Sequence, residues 1–300
     1  MTNLHYEFTG ETTVNRVGLT LHRIRATRDL PHLGVKTGDE GGWIEHTGNL
    51  SGEAWVADEA QVYGGAEVFG NAKVYGNAWV SGNALVSDNA RVYNNARLYV
   101  NAEVYGGASV FQNALVTDNA KVYGIAEVSG NATVHGYTHV FDNAKVFGNA
   151  QVFGNGRVSG YTRVYCNALV YGDARVQGYA SVYGTAKVYC NALVYGDAAV
   201  YGTAKVYGYA KVSNDARIKD TSHYFHAVTY TSTPLLLTLT RQKADKHLIR
   251  MGCWSGTIDK FEALIAQSKW VETKEEGVIE ARPEMEALAS MMRARIERWK

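Results

Sequence analysis

Every sixth residue from Ile44 to Ile218 is a branched aliphatic, and no insertion or deletion breaks the count. Around each lies a stereotyped phrase: the aliphatic residue, then commonly Tyr, Phe or Ser, a Gly-Asn-like or Asp-Asn-like pair, Ala, and one variable residue. Val146, Phe147, Gly148, Asn149, Ala150, Gln151 is one copy, and Val206, Tyr207, Gly208, Tyr209, Ala210, Lys211 is another. A period this short and this strict requires a stacked, quasi-one-dimensional architecture in which each repeat buries its apolar side against its neighbours. The aliphatic residue and the Ala four places on share parity, so both point inward from an extended segment. Between them stand Gly, Asn and Asp, the residues that accept positive φ and make tight corners. One hexad is therefore a short strand plus a corner, and three hexads close one triangular coil. About thirty hexads give about ten coils, a prism on the order of 45–50 Å long at ~4.8 Å per coil.

Composition narrows the function classes. The three prolines, Pro31, Pro234 and Pro283, lie outside the repeat, as an unbroken hydrogen-bonded ladder requires. A net charge of +1 gives no bulk attraction to nucleic acid or to acidic membranes. Cys166 and Cys190 are four hexads apart, on different corners of the coil, so no disulfide is expected and a reducing, cytoplasmic setting fits. The opening MTNLHYEFTG has no basic region followed by an apolar core, and no stretch is apolar for long enough to span a membrane.

The hexad resembles the repeat of the left-handed parallel β-helices, as in the hexapeptide acyltransferases. The resemblance, not the periodicity, implies the left hand. The run Leu21, His22, Arg23, Ile24, Arg25, Ala26, then Gly41, Gly42, Trp43, Ile44 and Gly52, Glu53, Ala54, Trp55, Val56 is similar to the opening of the YdcK-like proteins. These are bacterial and prophage hexapeptide-repeat proteins grouped with the acyltransferases. The resemblance implies a fold and no settled reaction. The expected fold class is mainly β: a single-stranded left-handed parallel β-helix with a small N-terminal β cap and a C-terminal α+β module.

The flanks complete that organisation. Residues 1–43 read as a strand-rich cap, 44–219 as the β-helix, and 220–300 as the α+β module. In the last, two apolar runs, 235–240 and 247–253, flank a polar turn at Lys243, Ala244 and Asp245, a hairpin signal. Thr257 can cap a helix that puts Phe261, Leu264 and Ile265 on one face. Pro283 suits the first turn of a last helix with Met285, Leu288, Met292, Ile296 and Trp299 in a stripe. These elements read as a ββαα module that covers the last coil, or alternatively as a module for oligomerisation or partner binding.

Chemistry is sparse by comparison. The histidines inside the repeat are His46, His135 and His139. His135 and His139 are the candidates for a catalytic base, but neither has a carboxylate directly above or below it in the ladder, and a general base needs an orienting group. No Cys/His spacing supports a metal. Hexapeptide acyltransferases use a histidine at a cleft between subunits and often a loop extruded from a coil; no such loop interrupts the count here. Under that alternative the cofactor is acetyl-CoA; otherwise none is expected.

The outer faces carry the remaining signals. Tyr75, Tyr93, Phe111, Phe147, Tyr165, Tyr183 and Tyr201 form a column at the coil spacing, a strip that homotrimerisation would bury. On another face Lys121, His139, Arg157 and Arg175 rise on successive coils, with Tyr123 and Phe141 beside them. Corner residues Asp118 and Asp173 are expected to neutralise Lys121 and Arg175. Such a row reads either as a solvated surface ladder or as a site for an anionic, ring-bearing ligand. The leading expectation is a non-enzymatic binding or scaffold protein of phage or prophage origin, acting on a host protein or a nucleotide-like ligand; the alternative is an acyltransferase working at a trimer cleft.

Overall fold

A computed structural model describes residues 4–229, 235–267 and 282–299, which belong to two compact units, residues 1–167 and 168–300.

The first unit opens with β1 (Tyr6–Val14) and β2 (Thr20–Ala26), an antiparallel pair, followed by β3 (Glu40–Ile44). β3 runs antiparallel to β2 and then parallel to the rung Gln61–Val62. Trp43 and Ile44 are thus where hairpin geometry becomes coil geometry. The passage is close: a Cβ on Gly42 would stand 2.7 Å from the carbonyl oxygen of Ala60, the oxygen that accepts the Trp43 N–H at 2.9 Å.

Two-residue rungs then recur at every hexad, beginning Trp55–Val56, Gln61–Val62, Glu67–Val68. Each pairs in parallel with the rung three hexads away, as Lys121 does with Glu103 and with His139. Three parallel ladders result, one per side of a triangular coil. The second residue of a rung points inward: Val146 and Ala150 are fully buried, and each such Val contributes about 1.5–3 kcal/mol gross, much of it offset by the entropy of ordering the coil. Thr138 and Thr162 stand where Ala is usual and are equally buried. Their hydroxyls donate to the carbonyls of His135 and Ser159 at 2.6 Å, so no buried hydroxyl goes unmatched at these two positions.

Corners have their own chemistry. The first corner residue is left-handed whether it is glycine, as Gly148 (φ 71°), or not, as Asp118 (φ 61°) and Gln112 (φ 60°). Where Asp or Gln stands there, its side chain accepts the N–H of the glycine one coil on. Asp58 does so with Gly76 (2.8 Å), Asp88 with Gly106 (3.0 Å), Gln112 with Gly130 (2.7 Å) and Asp118 with Gly136 (3.0 Å). The second corner residue is commonly Asn, and the amides form a ladder: Asn77 donates to Asn95 (3.4 Å), Asn95 to Asn113 and Asn113 to Asn131 (both 3.1 Å).

The second unit contains rungs from Leu169–Val170 to Arg217–Ile218 in the same register. An antiparallel sheet follows, its strands Tyr224–Thr229, Leu235–Arg241, His247–Met251 and Trp254–Gly256 in that order. The expected hairpin around 243–245 is its central pair, and two further strands flank it. Thr257 caps α1 (Ile258–Ala266), its side chain accepting the Lys260 N–H. Pro283 lies in the first turn of α2 (Arg282–Glu297). Leu237, Ile249, Phe261, Ile265, Met285, Met292 and Trp299 share one buried core. This sheet covers the end of the ladder: the Lys211 N–H donates to Thr238 Oγ1 (3.3 Å) and the Lys243 N–H to the Asp215 carbonyl (3.0 Å), so those edge groups do not stay open. Cys166, Cys190 and Cys253 are free and exposed.

Candidate functional site

On one ladder of the first unit, the rungs Glu103–Val104, Lys121–Val122, His139–Val140 and Arg157–Val158 lie in register. Because the second residue of each rung is committed to the core, the first faces out. The residue after each Val starts a second outward column, where Tyr105, Tyr123 and Phe141 stack at centroid distances of 4.9 and 5.0 Å with planes within 4° of parallel. That spacing is the strand spacing itself; backbone pairing imposes the ring stack.

The two columns touch at His139. Its ring meets Tyr123 edge-on at 6.0 Å and 85°, with the Tyr123 hydroxyl 3.5 Å from Nδ1. Burial first, and then the charges of Arg157 and Lys121, push the His139 pKa below 6.5, so the ring is neutral at pH 7. Lys121 is not matched by Asp118, as the corner position suggested. Its Nζ is 2.8 Å from Glu103 Oε2, one coil back, and this bond raises the Lys121 pKa. Asp118 instead accepts from Gly136. The expected row of like charges is therefore an ion pair, a neutral imidazole and the exposed guanidinium of Arg157. The structure brings Lys121, Tyr123, His139, Phe141 and Arg157 together on one face. Arg175 belongs to the second unit, in register with Leu193.

His135 corrects a second expectation. Its Nδ1 is 3.6 Å from Asp118 Oδ2, so a carboxylate does stand beside it, and its ring stacks on Phe153 at 5.1 Å. Coil arithmetic alone misses this pair, because Asp118 precedes His135 by one position less than a full coil and reaches it from the corner. Glu103 was accessible to that arithmetic, since it lies one full coil before Lys121.

The ring column expected at an oligomer contact forms within each unit. Tyr75, Tyr93 and Phe111 stack at 4.8 and 4.9 Å, Phe147 on Tyr165 at 4.9 Å, and Tyr183 on Tyr201 at 5.1 Å. Stacking covers the ring faces, so all seven residues are half-buried in the single chain. Among the described residues, the most exposed aromatic ones are corner tyrosines such as Tyr137 (65%) and Tyr179 (64%), which the spacing of the columns does not single out.

A family model described as the YdcK β-solenoid repeat matches residues 168–184, about one coil. The match and the ladder of coils together support a likeness to the YdcK β-solenoid repeat. No curated protein matches it. Among the described residues, no helix is long and apolar enough to cross a membrane.

Proposed function

We propose that the protein is a non-enzymatic binding scaffold, whose solenoid faces present ring columns and cationic groups to a partner. The observation that carries this reading is the face around His139: Arg157 stands in register with it, beside the Tyr105, Tyr123, Phe141 stack. A guanidinium next to a column of ring edges suits a nucleotide-like anionic ligand, with charge recognised by Arg157 and rings by the aromatic column. In a phage or prophage setting, a host protein or host nucleotide is the natural target. The stacks of each unit, with Tyr75, Tyr93, Phe111, Phe147 and Tyr165 in the first and Tyr183 and Tyr201 in the second, are assigned to self-association, with a trimer as the favoured assembly.

Titration calorimetry of the full chain with nucleoside mono- and diphosphates at low salt tests the ligand. Arg157→Glu should abolish binding, and about 0.1 M salt should weaken wild-type binding, because exposed charges are screened over ~10 Å. Equal binding by Arg157→Glu and wild type at low salt would sink this reading.

One observation favours a second reading, acyl transfer from acetyl-CoA at a cleft between subunits: the carboxylate of Asp118 beside His135 can orient an imidazole as a general base. A melting temperature that rises clearly with CoA supports it, since ligand bound to the native state raises apparent stability.

A further inference from the structure

We propose that a pocket between the β1–β2 turn and the adjacent ladder binds a small polyhydroxylated molecule carrying an oxyanion, a phosphorylated or carboxylated sugar. The pocket encloses about 470 Å³ and is lined by Asn15, Arg16, Gln61, Trp79, Asn95 and Arg97 among others, a volume within the range of small-ligand sites. It lies on a different ladder from His139.

Its charge is unbalanced. The guanidinium of Arg16 stands 4.9 Å from the centre of the Trp79 ring and that of Arg97 stands 5.1 Å from it. Two like charges held against one indole repel each other, and an anion bound beside them would relieve that repulsion. Among the described residues neither has a carboxylate within ion-pair distance. Glu59 also lines the pocket, its oxygens held by Arg23 at 3.1 Å and the Trp43 indole N–H at 2.9 Å. Arg23 is shared with Glu11 and Glu40, so Glu59 offsets part of the charge, and one carboxylate does not balance two guanidinium groups.

The turn that supplies Arg16 is built to stay in place. Asn15 is nine-tenths buried, and its Oδ1 accepts the N–H groups of Val17 (3.0 Å) and Leu19 (2.9 Å). Its Nδ2 is buried without a partner, an arrangement that is destabilising unless something accepts from it. The neighbouring amides of Asn77, Asn95 and Asn113 use one N–H each along their ladder and retain further donor and acceptor capacity.

These groups select a ligand class. Guanidinium forks match the paired oxygens of phosphate or carboxylate, and amides that both donate and accept match hydroxyls. The guanidinium groups already occupy the Trp79 ring, which disfavours a stacked base and points to a polyol.

Calorimetry on the full chain at low ionic strength with glucose 6-phosphate, glucuronate, glucose and inorganic phosphate tests this. At least one sugar anion should bind, with glucose and inorganic phosphate each at least about tenfold weaker. Binding of only the phosphate or only the carboxylate identifies the oxyanion. Arg16→Gln and Arg97→Gln should each weaken binding at least about tenfold, Arg97→Lys should fall between Arg97→Gln and wild type, and Arg163→Gln, exposed on another ladder, should leave it unchanged. Arg16 is on an exposed turn, so Arg16→Gln is the variant that keeps the fold, checked by its melting curve. The proposal is overturned if neither sugar anion binds, if glucose binds as well as they do, or if Arg16→Gln binds as wild type.

Discussion

At the scale of single residues, the corner decides more than its size suggests. A non-glycine residue in the left-handed region is strained by about 1–2 kcal/mol, yet Asp118 holds φ 61° because its carboxylate satisfies the Gly136 N–H at 3.0 Å. Asp118→Ala keeps the strain and loses the acceptor, so it should cost about 1–3 kcal/mol. Asp118→Gly removes the strain but not the loss, and Asp118→Asn keeps an acceptor. Denaturant melts should therefore rank Asn above Gly and Gly above Ala; a stable Ala variant would refute the role given to the carboxylate. The inward and outward positions differ as sharply. Val146→Asp places an unpaired charge in a fully buried site and should cost several kcal/mol, at least about 3 kcal/mol. Lys145→Ala removes only the exposed pair with Glu127 (2.9 Å), worth about 0.5 kcal/mol or less. Matching melting curves for these two variants would overturn the orientation of the rung.

Among the elements, the C-terminal sheet and helices depend on neutral histidines as the rungs do not. His247 Nε2 accepts the N–H of Ile258 at the start of α1, at 2.9 Å, a bond that protonation destroys. Burial, ahead of the opposing influence of Asp259 and the charge of Arg293, depresses its pKa below 6.5. The unfolded chain then takes up the proton first as pH falls. The stabilisation is complete above 6.5 and is lost as pH drops from there through the lower folded value. Burial depresses His223 and His226 in the same direction. Melting temperature should decline below pH 6.5, and His247→Gln should make that decline shallower without removing it. A decline as steep in the variant as in wild type would show that His247 does not contribute. These elements were visible as separate signals, namely the hairpin run, Thr257, Pro283 and the apolar stripe ending at Trp299. The two flanking strands, Tyr224–Thr229 and Trp254–Gly256, were not, because neither alternates clearly enough to stand out from a loop.

For the whole molecule, the ring columns are where the proposed self-association is tested. Each unit carries half-buried stacks whose edges face outward, and a second copy packed on them would bury the rest of the rings. Replacing Tyr93 and Tyr165 together with Lys should lower the mass measured by light scattering while the β-rich circular dichroism persists. A wild-type chain already monomeric at micromolar concentration would reject the oligomer. The candidate binding face was legible only in part. The register of Lys121, His139 and Arg157 follows from the period, but their charge state does not. It depends on Glu103 forming an ion pair and on burial holding His139 neutral, and both are local three-dimensional outcomes.

What the sequence determined by itself is whatever the hexad period controls. That covers which residues face in, which rungs pair, which rings stack, and where the repeat stops. An uninterrupted ladder converts sequence separation into spatial neighbourhood at a fixed interval of three hexads, so arithmetic suffices. Tertiary structure alone decided the contacts that leave that lattice. Asp118 reaches His135 because a corner side chain points along the stack, and Arg16 reaches Trp79 because the β1–β2 turn folds onto the ladder. No period relates such residues; their proximity comes from the path of the chain and from the requirement that the open ends of a sheet be covered.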